Sequence, residues 1–159
     1  MQLANFNSPS QIVISGDARA VDAAAAVLLE RGAKRVVPLN VSGAWHSRLM
    51  DPAVALFKPA VEAADFEMPK FDVISNVDAQ PYRDVQTIAA NLVRSITEEV
   101  RWHDAAEMML TYDLDAVVEY GGSPVLGPLM KRLNGSVQVL NVTDYAGVEK
   151  LREKVGASV

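Results

Sequence analysis

Short apolar runs rich in β-branched residues, each leading into a stretch of helical period, most tightly limit how this chain can fold. "QIVISG" groups Ile12, Val13 and Ile14 before Gly16 and reads as a buried strand. Residues 17–31 follow with Val21, Ala25 and Leu28 on one face and Gly32 as a left-handed terminator, which is a helix. The order returns downstream. "LDAVVEYGG" is a strand closed by two glycines and precedes a helix over 124–133. "SVQVLNV" is a last strand and precedes a last helix over 144–155. Strands alternating with helices make an α/β protein, with parallel pairing and crossover helices in the second half.

The middle is less regular. "LANFN" reads as a strand, and "KRVVPLNVS" as an extended segment broken at Pro38. Residues 51–64 have Asp51 as N-cap, Pro52 in the first turn and an apolar stripe of Val54, Phe57 and Val61. Pro59 within that helix should bend or split it. "FDVISNVDAQPY" looks like a strand running out into a turn. A long helix is expected over 83–97, with Ile88, Leu92 and Ile96 on one face, and another from near Asp104 through "AAEMMLTY". The first stretch reads as a small βαβ subdomain ending near Asn40, and Met68 to Lys70 is the best place for a further seam. Because "LANFN" starts almost at once, the chain is expected to be cut from something longer.

Charge and composition exclude several functions. The chain has 159 residues, a net charge of −5 and no cysteine. An acidic chain does not offer the basic face that nucleic acid requires. No run of apolar residues is long enough to span a membrane, and "MQLANFNSPS" lacks the basic start and apolar core of a signal peptide. Without cysteine there is neither a disulfide nor a thiolate nucleophile. The two histidines, His46 and His103, have no metal-ligand spacing, so no metal site is expected. No P-loop and no Gly-rich dinucleotide fingerprint occurs, and no cofactor is expected. The expected location is cytoplasmic.

The candidate chemistry centres on "SGAWHSRLM". His46 follows an extended segment and precedes a helix start, where an α/β fold presents groups at the edge of its sheet. It is the candidate catalytic residue, and a satisfied loop histidine is the competing reading. His103, between Trp102 and Asp104 at a helix start, reads as a solvated or capping residue. A histidine base needs a nucleophile, and the Gly-x-Ser-x-Gly elbow is absent. "GGSPV" comes nearest, but Ser123 there reads better as a helix N-cap with Pro124 in the first turn. "NFNSP" is either a turn capped by asparagines or a pair of site amides at Asn5 and Asn7.

Several stretches together resemble one family, the malonyl-CoA:acyl carrier protein transacylases of fatty acid synthesis. They are "NFNSPSQIVISG", "GAKRVVPLNVSGAWHSRLMDPA", "ISNVDAQPY", "LVRSITEEVRWHDAAEMM" and "EYGGSPVLGPLMKRL". The similarity covers nearly the whole chain, in order and with matching spacing, and the "HSRLM" and "NFNSP" segments are the specific ones. The resemblance implies that residues 41–159 are the C-terminal part of an α/β-hydrolase-like parallel-sheet body. Residues 1–40 would be a partial ferredoxin-like βαβ subdomain.

The resemblance further implies a ping-pong acyl transfer through a serine ester, with His46 as the shuttling base. The substrate would be malonyl-CoA and the acceptor the phosphopantetheine thiol of an acyl carrier protein. Asn5 and Asn7 match asparagines near the family's active site and would bind substrate. Trp45 stands where the family usually has phenylalanine, as a pocket wall or a core aromatic. The family's serine elbow, its oxyanion-hole loop and the arginine that pairs with the malonyl carboxylate lie upstream of these segments and have no counterpart here. Ser95 stands where the family often has a glutamine whose carbonyl orients the histidine. The implied object is a C-terminal half, inactive alone, that would need the missing N-terminal half as partner and expose an apolar face without it. Two other readings stand beside it: a polyketide synthase acyltransferase domain fragment, and a non-catalytic binding module.

Overall fold

The computed structural model describes residues 1–156, and the chain divides into two units, Met1–Ala105 and Ala106–Val159. In the first unit, β1 (Gln2–Ser8) and β2 (Gln11–Ser15) form an antiparallel hairpin around a turn at Pro9 and Ser10. Proline supplies the fixed φ of a tight turn, and Ser8 Oγ accepts from the Ser10 amide at 3.3 Å. The register shifts between Leu3 and Asn5 and again between Phe6 and Ser8, so the alternation of faces is interrupted twice. On its other side β1 takes a short parallel partner. The Val100 amide donates to Ala4 O at 2.8 Å, and the Phe6 amide to Val100 O at 2.9 Å.

α1 (Ala18–Glu30) begins where Asp17 accepts from the Ala20 amide at 3.1 Å. It ends before Gly32, whose φ of +98° is the left-handed conformation expected from the sequence. No strand of a named ladder lies between α1 and residue 116, so residues 1–40, expected as βαβ, hold a hairpin followed by a helix. "KRVVPLNVS", expected as an extended segment, forms no ladder, and within it the Val41 amide donates to Leu39 O at 3.1 Å. Val37, Leu39 and Val41 each stay more than half exposed, so no neighbouring strand rewards pairing.

A 3-10 turn at Arg48–Met50 leads into α2 (Asp51–Glu62). Asp51 is not the cap that the sequence led us to expect. The cap role falls one turn earlier to Ser47, which accepts from the Leu49 amide at 3.3 Å. Pro59 neither ends nor splits α2; the amide it removes is one link in a helix that continues to Glu62. The "FDVISNVDAQPY" stretch contributes only an isolated bridge between Ile74 and Pro81. α3 (Val85–Arg94) is capped by Asp84, which accepts from the Thr87 amide at 2.6 Å, and packs on α2. α4 (Trp102–Met109) carries the boundary between the units. The apolar core of the first unit is small: Ala4, Val61, Val77, Ala79 and Ala105 are buried.

The second unit is a parallel pair, β3 (Val117–Tyr120) and β4 (Val139–Val142), joined through α5 (Leu126–Leu133) and followed by α6 (Tyr145–Gly156). Val117 pairs with Val139 and Tyr120 with Val142. Leu129, Met130 and Val142 form its buried apolar centre. The α/β reading therefore holds, with a small parallel sheet and an N-terminal antiparallel hairpin. α5 starts differently from expectation. Ser123 and Pro124 precede it, and Val125 at its N-cap makes no side-chain cap bond. The Glu119 carboxylate instead accepts from the amides of Val125 at 2.8 Å, Leu126 at 2.7 Å and Gly127 at 2.8 Å. An acceptor charged at neutral pH satisfies three orphan donors at once, which a serine hydroxyl could not.

Candidate functional site

His46 sits in a left-handed backbone conformation, with φ of +58°. Such a residue is uncommon outside glycine and holds its place only where neighbours determine it. The neighbours here are three successive carbonyls beyond the C-terminus of α3. Ile96 O accepts from the His46 amide at 3.1 Å. Glu98 O lies 3.1 Å from His46 Nδ1. Between them, Thr97 O accepts from Gln2 Nε2 at 2.9 Å. A chain leaving a helix has carbonyls without intrahelical partners, and His46 and Gln2 together supply the donors for these three.

A carbonyl oxygen only accepts, so Nδ1 must carry the proton, and in the neutral ring Nε2 is left as acceptor. The imidazole is thus fixed in one tautomer and one orientation by main chain rather than by a carboxylate. The resemblance pointed to the carbonyl at the Ser95 position for this role. The structure gives it to Glu98, while the Ser95 hydroxyl donates to Leu92 O at 2.7 Å. Ser95 is the C-cap residue of α3, three positions before Glu98.

Glu98 is itself anchored. Its two carboxylate oxygens each accept from Arg94 at 2.8 Å, a bidentate pair one helical turn apart. That carboxylate raises the Arg94 guanidinium above its ordinary range, against the opposing effect of burial. Arg94 also donates to Asn91 Oδ1 at 2.8 Å. Asn91 is buried and passes the network on, donating to Ser75 Oγ at 3.0 Å and Asp78 Oδ2 at 2.9 Å. Burial works to raise the Asp78 carboxyl, but hydrogen bonds from Asn91 and Ser75 and from nearby backbone outweigh it and hold the group low.

The residues beside His46 lock the loop. Ser47 is 2% exposed and donates to Ala44 O at 2.6 Å. Gln2 reaches in from β1 to bond both His46 O and the Arg48 amide, each at 3.1 Å. Trp45 is 47% exposed, which rules out the core-aromatic reading within this chain. Its indole lies over Gly43, 3.7 Å from where a Cβ would stand. An open concavity of about 480 Å³ lies next to the loop, lined by Met1, Gln2, Gly16, Ser47, Arg48 and Leu49.

Asn5 and Asn7 both lie half-buried on β1, the strand that carries Gln2. Asn5 is paired with Val13 and bridged to Val100. Among the described residues no hydrogen bond joins either amide to the imidazole. His103 is not simply solvated: its ring meets that of Phe6 edge-on, with centroids 5.1 Å apart. Ser123 lies in the turn before α5, in the second unit. No cluster of three or more His, Cys, Asp or Glu placed to hold a metal occurs among the described residues, and no helix among them is long and apolar enough to cross a membrane.

Sequence reasoning missed Gln2, Arg94, Asn91 and Glu98. The i,i+4 spacing of Arg94 and Glu98 was a visible signal. Gln2 had none, because its three partners lie 44 to 95 residues away.

The small parallel sheet and the N-terminal hairpin belong to a fold shared with solved acyltransferases. A structure of an acyl-carrier-protein-S-malonyltransferase from Bartonella henselae superposes with a TM-score of 0.90 at 36% identity, covering 98% of this chain and 49% of that one. A type II PKS acyl-carrier protein in complex with its malonyl-transacylase matches at a TM-score of 0.88 and 34% identity, over 96% of this chain and 49% of that one. The chain is a homologue of the malonyl CoA-acyl carrier protein transacylases. That of Bacillus subtilis (strain 168) is 36% identical over 94% of this chain, and that of Haemophilus influenzae 38% identical over the same share. The chain spans about half the length of these relatives, 47% and 48%. No family model matches it.

Proposed function

We propose that this chain supplies the base-bearing half of a malonyl-CoA:acyl carrier protein malonyltransferase. The observation that carries the reading is the His46 ring, held at Nδ1 by Glu98 O so that Nε2 is the acceptor. Its support is the alignment, over almost all of the chain, with enzymes named for that transfer. In the reaction, a serine hydroxyl from the complementary half attacks the thioester carbonyl of malonyl-CoA as Nε2 takes its proton. The proton returns to the departing CoA sulfur and leaves a malonyl-serine ester. The phosphopantetheine thiol of an acyl carrier protein then gives its proton to Nε2 and attacks that ester. The serine oxygen recovers the proton as it leaves. No cofactor enters either half-reaction.

The oxyanion donors and the carboxylate-binding arginine also fall to the complementary half, so most of the rate depends on it. The exposed side chains of Leu56, Phe71 and Tyr145, at 83, 75 and 76%, support the need for a further apolar partner. Asn5 and Asn7 are proposed to shape the substrate pocket from β1, and Trp45 to wall it beside the base. Residues 1–40 are taken as part of a small ferredoxin-like subdomain and 41–159 as part of the acyltransferase body. A cytoplasmic location fits a step of fatty acid synthesis.

Polyketide acyl transfer is kept as a second reading because one matching transacylase is bound to a type II PKS acyl-carrier protein. The test is assembly of this chain with a nucleophile-bearing half from a homologous enzyme. Malonyl transfer to carrier protein that depends on His46 supports the proposal. Transfer unaffected by His46→Ala removes it and leaves a non-catalytic binding module. Acceptance of methylmalonyl in place of malonyl groups, or of polyketide over fatty-acid carrier protein, moves the reading to the polyketide side.

A further inference from the structure

The carboxamide of Gln2 spends every hydrogen-bonding group it has on backbone around His46. Nε2 donates to His46 O at 3.1 Å and to Thr97 O at 2.9 Å, and Oε1 accepts from the Arg48 amide at 3.1 Å. Two carbonyl partners at one end and an N–H partner at the other fix the orientation of the amide without ambiguity. Thr97 O is the middle one of the three carbonyls that face the loop; the outer two take the His46 amide and the His46 ring. The side chain therefore joins the two strips of chain whose separation sets the Nδ1 to Glu98 distance. It grips the left-handed residue on its carbonyl side while Ile96 O grips the amide side. An aliphatic side chain would leave Thr97 O and His46 O half-buried without a donor.

We propose that Gln2 is a positioning residue for the base, acting through the backbone of His46 to keep the Nδ1–H tautomer seated on Glu98 O. The inference rests on the acyl-transfer reading only for its effect on rate. The positioning itself is a property of this chain. Gln2 does not reach the reacting atoms. Its contribution is orientation, where a displacement of the order of 1 Å costs up to roughly a hundredfold in rate.

The test uses both histidines, with His103 as the reference within the same molecule. Long-range proton–nitrogen spectra of the intact chain report the tautomer of each ring. Gln2→Leu removes all three bonds, and Gln2→Glu keeps the acceptor toward Arg48 while setting a carboxylate against two carbonyls. In both variants the His46 signals are expected to move away from the Nδ1–H pattern while those of His103 stay in place. Unmoved His46 signals overturn the proposal. So does an equal movement of both rings, which marks a general loss of structure. If Gln2→Leu does not fold, Gln2→Glu alone decides.

In the assembled acyltransferase, either variant should lower kcat by about tenfold to a hundredfold with KM unchanged. An unchanged kcat, with His46→Ala still abolishing transfer, sinks the role of Gln2 and spares the reaction. Transfer that survives His46→Ala sinks the reaction instead, and the spectra still decide the positioning.

Discussion

The imidazole Nδ1 of His46 and the carbonyl oxygen of Glu98 meet at 3.1 Å across 52 residues of chain. The loop and the segment after α3 are brought together by the His46 amide, which donates to Ile96 O, and by the Gln2 side chain, which donates to both His46 O and Thr97 O. The result is a ring with a set tautomer and one nitrogen left to exchange protons.

His46→Ala, in the chain assembled with a nucleophile-bearing half, should lower malonyl transfer by roughly a hundredfold to ten-thousandfold, the usual worth of a positioned acid–base. Far-ultraviolet dichroism should be unchanged. The chain by itself should transfer no malonyl groups, since no serine elbow lies within it. Labelled malonyl-CoA and carrier protein check both.

Asn91→Ala should cost about 2–3 kcal/mol in urea unfolding. The buried amide satisfies Ser75, Asp78 and Arg94 together, and its loss strands a half-buried carboxylate. Arg94→Met should cost less, about 1 kcal/mol, because its pair with Glu98 is 46% and 42% exposed. A larger effect for Arg94 than for Asn91 would reverse this ordering.

Stability should fall in acid through Glu119. Three backbone amides, that of Leu126 foremost and then those of Val125 and Gly127, hold its carboxyl below the ordinary value of 4.5. A depressed native pKa contributes stability that is complete above the unfolded value and is lost as pH drops through the native one. The parent should therefore lose its advantage over Glu119→Gln progressively below about pH 4.5, measured by urea midpoints across pH. At neutral pH, Glu119→Ala should cost about 1–2 kcal/mol, the range for a lost helix cap.

Gly127→Ala should be destabilising by about 1–3 kcal/mol, as overpacking is. A Cβ there would stand 2.8 Å from Val139 Cγ1 and 2.9 Å from Glu119 Oε2, so it strikes both β4 and the cap of α5. Thermal melts of the variant should show the loss. A neutral substitution would mean that the turn before α5 yields easily.

What the residues determined alone was local and periodic. Apolar β-branched runs at 11–15, 117–120 and 139–142 are strands, and the helical stretches stand within a few residues of where their faces and caps put them. These follow from nearest-neighbour chemistry: side-chain alternation, an aspartate before a first turn, a glycine where φ turns positive. The place of His46 before a helix was legible for the same reason.

Tertiary structure alone decided the rest. "KRVVPLNVS" has the composition of a strand and no partner, because strand formation is settled by a neighbour and not by propensity. Asp51 and Ser123 have the composition of caps, yet Ser47 and Glu119 take the work by lying nearer the free amides. The tautomer of His46 depends on Glu98 O, and the loop that holds it depends on Gln2. Those partners meet only once the hairpin, the loop and the end of α3 have been brought together, and a hydrogen bond between distant segments leaves no mark on the order of residues along either one.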